Sequence, residues 1–260
     1  MKIKVPPYPN FKITEDAFNG VSEQTVKKTN SKGLSNHLVM IAPFKTGEKR
    51  VIHIRPVKYN GNTYITAFPN PIHLFLSLSS EHYNISEKVK SENFVKCGKP
   101  YGKDLYLLDI EKNGTHECYN NYIKYRTSSI IMLVSALEAF LNHIIPNDFI
   151  YKTVRKNKTF EFNKNDIESP KISFREKMDK ILPQCSERKI DWEILNNEHK
   201  IIFDLYNSRK DLIHLKTNSQ TDFDMYFEAI DRMLNLDILL AIESVIKIMN
   251  ISKNEFIEIE

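Results

Sequence analysis

Residues 130–145 read Ile130-Ile131-Met132-Leu133-Val134-Ser135-Ala136-Leu137-Glu138-Ala139-Phe140-Leu141-Asn142-His143-Ile144-Ile145. Ile130, Leu133, Val134, Leu137, Phe140, Leu141, Ile144 and Ile145 recur three and four apart, so they line one stripe of a helix. The spacing predicts an amphipathic helix over about 120–145, stopped by Pro146-Asn147. After Cys118 the apolar period is therefore near 3.6. Before it, the period is two.

In residues 1–115 short β-branched and aromatic runs alternate with turn residues, which predicts a β-rich region. His37–Phe44 and Arg50–Tyr59 read as strands. Tyr59-Asn60-Gly61-Asn62-Thr63-Tyr64-Ile65-Thr66 reads as a hairpin, because Asn-Gly suits the positive φ of a tight turn. Tyr106–Ile110 followed by Lys112-Asn113-Gly114 suggests another. The run Ile72–Leu78 after Asn70-Pro71 fits either a short helix or a buried strand.

Downstream, polar and basic 152–165 reads as an insertion or short hairpin. Ser173–Leu182 reads as a shorter helix with Phe174, Met178, Ile181 and Leu182 inward and Pro183 ending it. A third helix is expected from about Asp191 to Lys216, with Ile194, Leu195, Ile201, Ile202, Leu205, Leu212 and Ile213 as its stripe. A fourth is expected to run unbroken from Thr221 through Phe223, Tyr226, Phe227, Ile230, Met233, Leu234, Ile238 and Ala241 to Ile248. Four helices with short connections predict a bundle. The fold class is thus α+β, with a β-rich recognition region over 1–115 and a helical domain over 116–260.

At 260 residues and 41% hydrophobic content the chain can bury a sizeable core. Its net charge of +4 does not mark a nucleic-acid binder, but the halves differ in sign. Residues 1–115 hold 17 Lys and Arg against 10 Asp and Glu, and residues 116–260 hold 20 against 23. Lys27, Lys28, Lys49, Arg50, Arg55, Lys58, Tyr59 and Tyr64 could form an RNA-backbone surface with aromatic platforms, or the aromatics could be core. Cys97, Cys118 and Cys185 are too scattered for a zinc site or disulfide framework, which points to a reducing compartment. With no apolar leader and with charges in every apolar stretch, a cytoplasmic protein without a membrane span is expected.

The chemistry-bearing stretch is Arg209-Lys210-Asp211-Leu212-Ile213-His214. A fixed cation for a phosphate and a group that titrates near neutrality stand five residues apart. Ser208, Asp211 and His214 lack the elbow of a hydrolase triad. Asp109/Glu111 and Asp222/Asp224 lack a third metal ligand, and no glycine loop cradles a phosphate.

Together with Ser135-Ala136-Leu137-Glu138-Ala139-Phe140, Phe174-Arg175-Glu176-Lys177-Met178 and Asn207-Ser208 before the Arg, this stretch resembles the HEPN superfamily of helical-bundle proteins, found in toxin–antitoxin, abortive-infection and CRISPR-type defence systems. The resemblance covers about residues 120–250. It implies metal-independent, cofactor-free cleavage of single-stranded RNA through the 2′-hydroxyl. His214 would be general acid or base, and Arg209 would hold the phosphate. It also implies an effector in microbial defence, paired with an antitoxin or other system partner.

Glu138 and Asn142, one helical turn apart, would reach the cleft, and Asn207 and Asp211 flank the pair. Lys210 stands where active members carry Asn, Asp or His, which leaves open a non-catalytic dimerisation, RNA-binding or partner-binding module. On an ideal helix five residues turn about 500°, leaving Arg209 and His214 about 140° apart. A homodimer with a composite site follows from that offset and from the family's habit of dimerising.

Overall fold

The computed structural model describes residues 1–8, 10–12, 38–43, 49–91, 99–103, 105–108, 115–213 and 221–259. It is mixed α and β, with β-hairpins in the N-terminal half and helices predominating in the C-terminal half. The chain divides into two compact units, Val5–Leu74 and Met1–Lys4 with Phe75–Glu260.

The smaller unit is an antiparallel sheet of β1 (Pro7–Tyr8), β2 (Asn10–Lys12), β3 (Leu38–Pro43), β4 (Lys49–Tyr59) and β5 (Asn62–Pro69). β4 is long enough to serve three partners. Its first half pairs with β2 and β3, and Ile54–Tyr59 pairs with β5. Asn60 and Gly61 both take positive φ, 47° and 76°, so the expected tight turn forms. The stretch after Asn70-Pro71 is helical: α1 spans Pro71–Val89. Asn70 Oδ1 accepts from Ile72 N at 3.0 Å, and Pro71 occupies a first-turn position where no amide is needed. β6 (Lys99–Gly102) and β7 (Leu105–Leu107) form a hairpin that the sequence pattern does not predict; of the strand expected over Tyr106–Ile110 only Tyr106 and Leu107 fall in β7, and its expected turn at 112–114 lies outside the described residues.

In the larger unit α2 runs Thr115–His143, five residues earlier than its apolar stripe requires. Leu133, Val134, Leu137 and Phe140 are fully buried. Each contributes about 1.5–3 kcal/mol relative to an exposed side chain. The polar stretch is a hairpin, β8 (Tyr151–Arg155) and β9 (Lys158–Phe162), turning on Lys156 and Asn157. It is followed by α3 (Lys164–Glu168), and a local core of Ile145, Tyr151, Ile167, Ile172 and Ile181 lies nearby. Burial against this core pushes the Cys185 thiol up to about 11.

The expected Ser173–Leu182 helix is α4 (Phe174–Glu176), a π-helical turn over Lys177–Ile181, and α5 (Leu182–Cys185). Leu182 N bonds Lys177 O, five residues back, which is the π pattern. Phe174, Met178, Ile181 and Leu182 are buried as expected. Pro183 does not end the helix. It sits in the first turn of α5, where its missing amide costs nothing.

α6 (Asn196–Ile213) starts later than expected, and Ile194 is not part of its buried stripe: it lies in the preceding turn, 80% exposed. The expected fourth helix is two, α7 (Thr221–Asn235) and α8 (Ile238–Ser252). Asp237 caps α8, accepting from Leu240 N at 2.9 Å. Phe227, expected on the apolar stripe, is 64% exposed. The helices α2, α6, α7 and α8 pack against one another, and the chain start joins them through a bridge between Ile3 and Ile259.

The break between α7 and α8 is held by Arg126 of α2, a buried cation. Its Nη2 donates to the carbonyls of Met233 (3.1 Å), Leu234 (3.4 Å) and Leu236 (2.6 Å), and Nη1 pairs with Glu87 of α1 at 3.3 Å. Replacing Arg126 with Leu is expected to cost about 3–5 kcal/mol, because the carbonyls of Leu234 and Leu236 lose the guanidinium, while Met233 O keeps only Leu236 N at 3.4 Å and Glu87 only Lys90 at 3.7 Å. Arg126→Lys is expected to recover less than half of that, an ammonium being unable to fork across the same acceptors. Urea unfolding of the three proteins checks this, and a loss under 1 kcal/mol for Arg126→Leu would refute it.

Candidate functional site

Positions on α6 determine what each flanking residue can do. Arg209 and Asp211 are about 200° apart on an ideal helix, so they face different neighbours. Arg209 faces α2, where its Nη2 lies 4.0 Å from Glu138 Oε2. Asp211 faces α7 and is paired with Arg232. Ser208 is buried and donates back to Asp204 O at 2.8 Å. Asn207 and Lys210 are exposed. His214 lies outside the described residues.

The Arg209–Glu138 contact is an ion pair too long to be a hydrogen bond. The Arg209 side chain keeps 24% exposure and Glu138 39%, so the cation is sheltered yet reachable. Arg209 Nε is buried with no hydrogen-bond partner among the described residues. Among the described residues the guanidinium thus has one loose ion pair and no hydrogen bond at Nε.

Asn142, one turn beyond Glu138 on α2, accepts from Lys177 Nζ at 3.1 Å. Lys177 opens the π-helical turn. Burial holds its ammonium below the ordinary lysine range, against the opposing pull of Glu138 and Glu168. The structure thus brings Glu138, Asn142 and Arg209 into one polar cluster and adds Lys177, which is not among the expected site residues. A Glu and an Asn four apart on an otherwise apolar face were the available signal, since partly buried polar groups require partners.

A second constellation lies between the first turns of α6 and the π turn. His199 Nε2 is 2.7 Å from Asp179 Oδ1, and the imidazole packs between Trp192 and Phe203 at ring distances of 4.8 and 4.6 Å. Ten helical residues, about 15 Å, separate His199 from Arg209. His199 therefore does not complete the Arg209 cluster. With Tyr206 stacked on Phe174 at 4.0 Å, it fastens α6 to α4 and the π turn.

A cleft of about 450 Å³ opens between α6 and α7, lined by Asp204, Ser208, Glu228, Asp231, Arg232, Asn235 and Leu236. Three carboxylates line it, and its one cation is already paired with Asp211. That potential repels a phosphate chain, whereas the opposite side of α6 carries Arg209 beside Glu138. Among the described residues no three His, Cys, Asp or Glu side chains stand close enough to hold a metal ion, and no helix is long and apolar enough to cross a membrane.

Comparison with known protein families, with curated proteins and with solved structures finds no match to this chain.

Lys177 carries a desolvation cost, so Lys177→Met is expected to be as stable as wild type or up to about 2 kcal/mol more stable at pH 7. With the ammonium pKa lowered in the native state, the unfolded chain binds more protons as pH approaches the ordinary lysine range. Wild-type stability then rises with pH relative to the variant. Urea midpoints at pH 7 and pH 10 should therefore converge, and a variant that is markedly weaker at pH 7 contradicts the assignment.

Proposed function

We propose that the chain is a metal-independent endoribonuclease that cleaves single-stranded RNA, its C-terminal helices forming a HEPN-like four-helix bundle. The observation that carries this reading is the loosely paired Arg209 near the end of α6, 4.0 Å from Glu138 and with a buried Nε that has no partner among the described residues, and His214 five residues on in the sequence.

In the proposed reaction the 2′-oxygen attacks the adjacent phosphorus and the bond to the 5′-oxygen breaks, leaving a 2′,3′-cyclic phosphate and a 5′-hydroxyl. A proton leaves the 2′-hydroxyl and one reaches the departing oxygen; His214 carries one of these transfers. Arg209 binds the non-bridging oxygens, where negative charge grows in the transition state. Lys177 and Asn142 lie on the same polar cluster and strengthen its preference for an anion. The offset of about 140° between Arg209 and His214 on an ideal helix supports a homodimer in which two copies complete the site. The biological reading is an effector in antiphage or toxin–antitoxin defence.

The competing reading is a non-catalytic dimerisation, RNA-binding or partner-binding module. Glu138 favours it, because a carboxylate standing beside Arg209 competes with phosphate for the same cation.

Purified wild type, Arg209→Ala and His214→Ala, incubated with end-labelled single-stranded RNA with and without EDTA, separate the two. Cleavage by wild type that survives EDTA and falls at least about 10²-fold in each variant is expected. Cleavage abolished by EDTA, or retained in His214→Ala, overturns the mechanism. A folded wild type that cuts no RNA moves the assignment to the non-catalytic module.

A further inference from the structure

Between Lys49 and Ser80 the sequence contains no Asp or Glu, while Lys49, Arg50, Arg55 and Lys58 all fall in β4. The β4–β5 hairpin is therefore purely cationic. Over Arg55–Tyr59 and Asn62–Thr66 the two strands pair with each other and with no other described strand. They form a two-stranded ribbon. Directly opposed residues share a face, so the pairs Arg55 with Thr66, Val57 with Tyr64 and Tyr59 with Asn62 line up on one side. Lys58 belongs to the reverse face.

Aromatics in a β-rich segment are ordinarily core. Here Tyr59 is 66% exposed and Tyr64 50%, so neither ring is spent on packing. As diagonal cross-strand neighbours they stand about 7–8 Å apart, with Arg55 on the same face. Open aromatic rings beside cations, on two strands that carry no carboxylate of their own, are what a single-stranded nucleic acid requires: a π-face for each base and positive charge along the backbone.

We propose that the exposed face of the β4–β5 ribbon docks single-stranded RNA, Tyr59 and Tyr64 stacking on bases and Arg55 engaging the phosphates. This rests on RNA being the substrate class proposed above, and it assigns the smaller unit a binding role separate from Arg209 and His214. The bases are held by stacking, so the surface tolerates any sequence. Affinity falls with salt through Arg55 and its basic neighbours.

The test uses the full-length wild-type chain and a fluorescein-labelled 15-mer of 2′-O-methyluridine, which cannot be cleaved through a 2′-hydroxyl, read by anisotropy across a salt series. Tyr59→Ala and Tyr64→Ala are each expected to weaken binding by a factor of about 5 to 100 without changing the slope of log Kd on log salt. Tyr59→Phe and Tyr64→Phe retain affinity, which a folding defect would not allow. Arg55→Gln lowers the magnitude of the slope by about 0.7.

Binding unchanged in both Tyr→Ala variants, or no binding by wild type, overturns the proposal. RNA cleavage that proceeds with unaltered KM in the Tyr→Ala variants overturns ribbon docking while leaving the nuclease reading intact. Ribbon-dependent binding by a chain that cleaves nothing supports docking and removes the nuclease.

Discussion

A helix that ends inside a protein leaves its last carbonyls without partners, and here one side chain meets that demand for α7. Arg126 reaches from the middle of α2 to the carbonyls of Met233, Leu234 and Leu236, holds Glu87 of α1 with its other nitrogen, and lies over the Tyr122 ring at 5.3 Å. Because α7 ends there, α8 begins afresh under its Asp237 cap and turns Ile238, Ala241, Ile242 and Val245 into the core. The end of α7 also positions Arg232, which holds Asp211 on α6. Asp211 is two residues from Arg209. The guanidinium that closes one helix thus helps fix the rotation of the helix carrying the proposed site.

Much of this was legible where the pattern and the local chemistry agree. The α2 stripe, the β4–β5 turn at Asn60-Gly61 and the inward set Phe174, Met178, Ile181 and Leu182 each follow from periodicity or φ preference alone. α1 carried its own start signals, Asn70 as cap and Pro71 in the first turn, but the short apolar run after them fits two periods equally well. The α7–α8 break was masked for a different reason. Apolar residues recur across Leu236-Asp237 with no Gly or Pro, and the carbonyls freed by the break are satisfied by a residue 110 positions away. No local window contains both halves of that interaction. The π turn is equally invisible, since the buried set Phe174, Met178, Ile181 and Leu182 has spacings that fit an ordinary α-helix as well.

For the candidate site, sequence spacing placed Arg209 correctly on a helix but said nothing of the face it uses. Glu138 reaches it across 71 positions, and Asn142 turns to Lys177. Asp211, two residues and about 200° round the helix from Arg209, is engaged elsewhere. A motif read along the chain treats neighbours in sequence as neighbours in space. On α6 the helical rotation separates them, and the adjacent Asp204, Glu228 and Asp231 give the two sides of the same helix different electrostatic characters.

That asymmetry bears on whether Glu138 blocks or assists the proposed phosphate site. A partly exposed ion pair at 4.0 Å contributes about 0–1 kcal/mol, having neither a hydrogen bond nor full desolvation. Hydrogen bonds between a guanidinium and phosphate oxygens are worth about 1.5–3 kcal/mol each and are often bidentate. On the proposed reading an incoming phosphate displaces Glu138 from Arg209. The displaced carboxylate does not become an isolated charge, because Lys177 already feels it. On the proposed reading Glu138 keeps the guanidinium aimed and neutralised until RNA arrives, and the half-buried Lys177 is the cation that makes this exchange affordable.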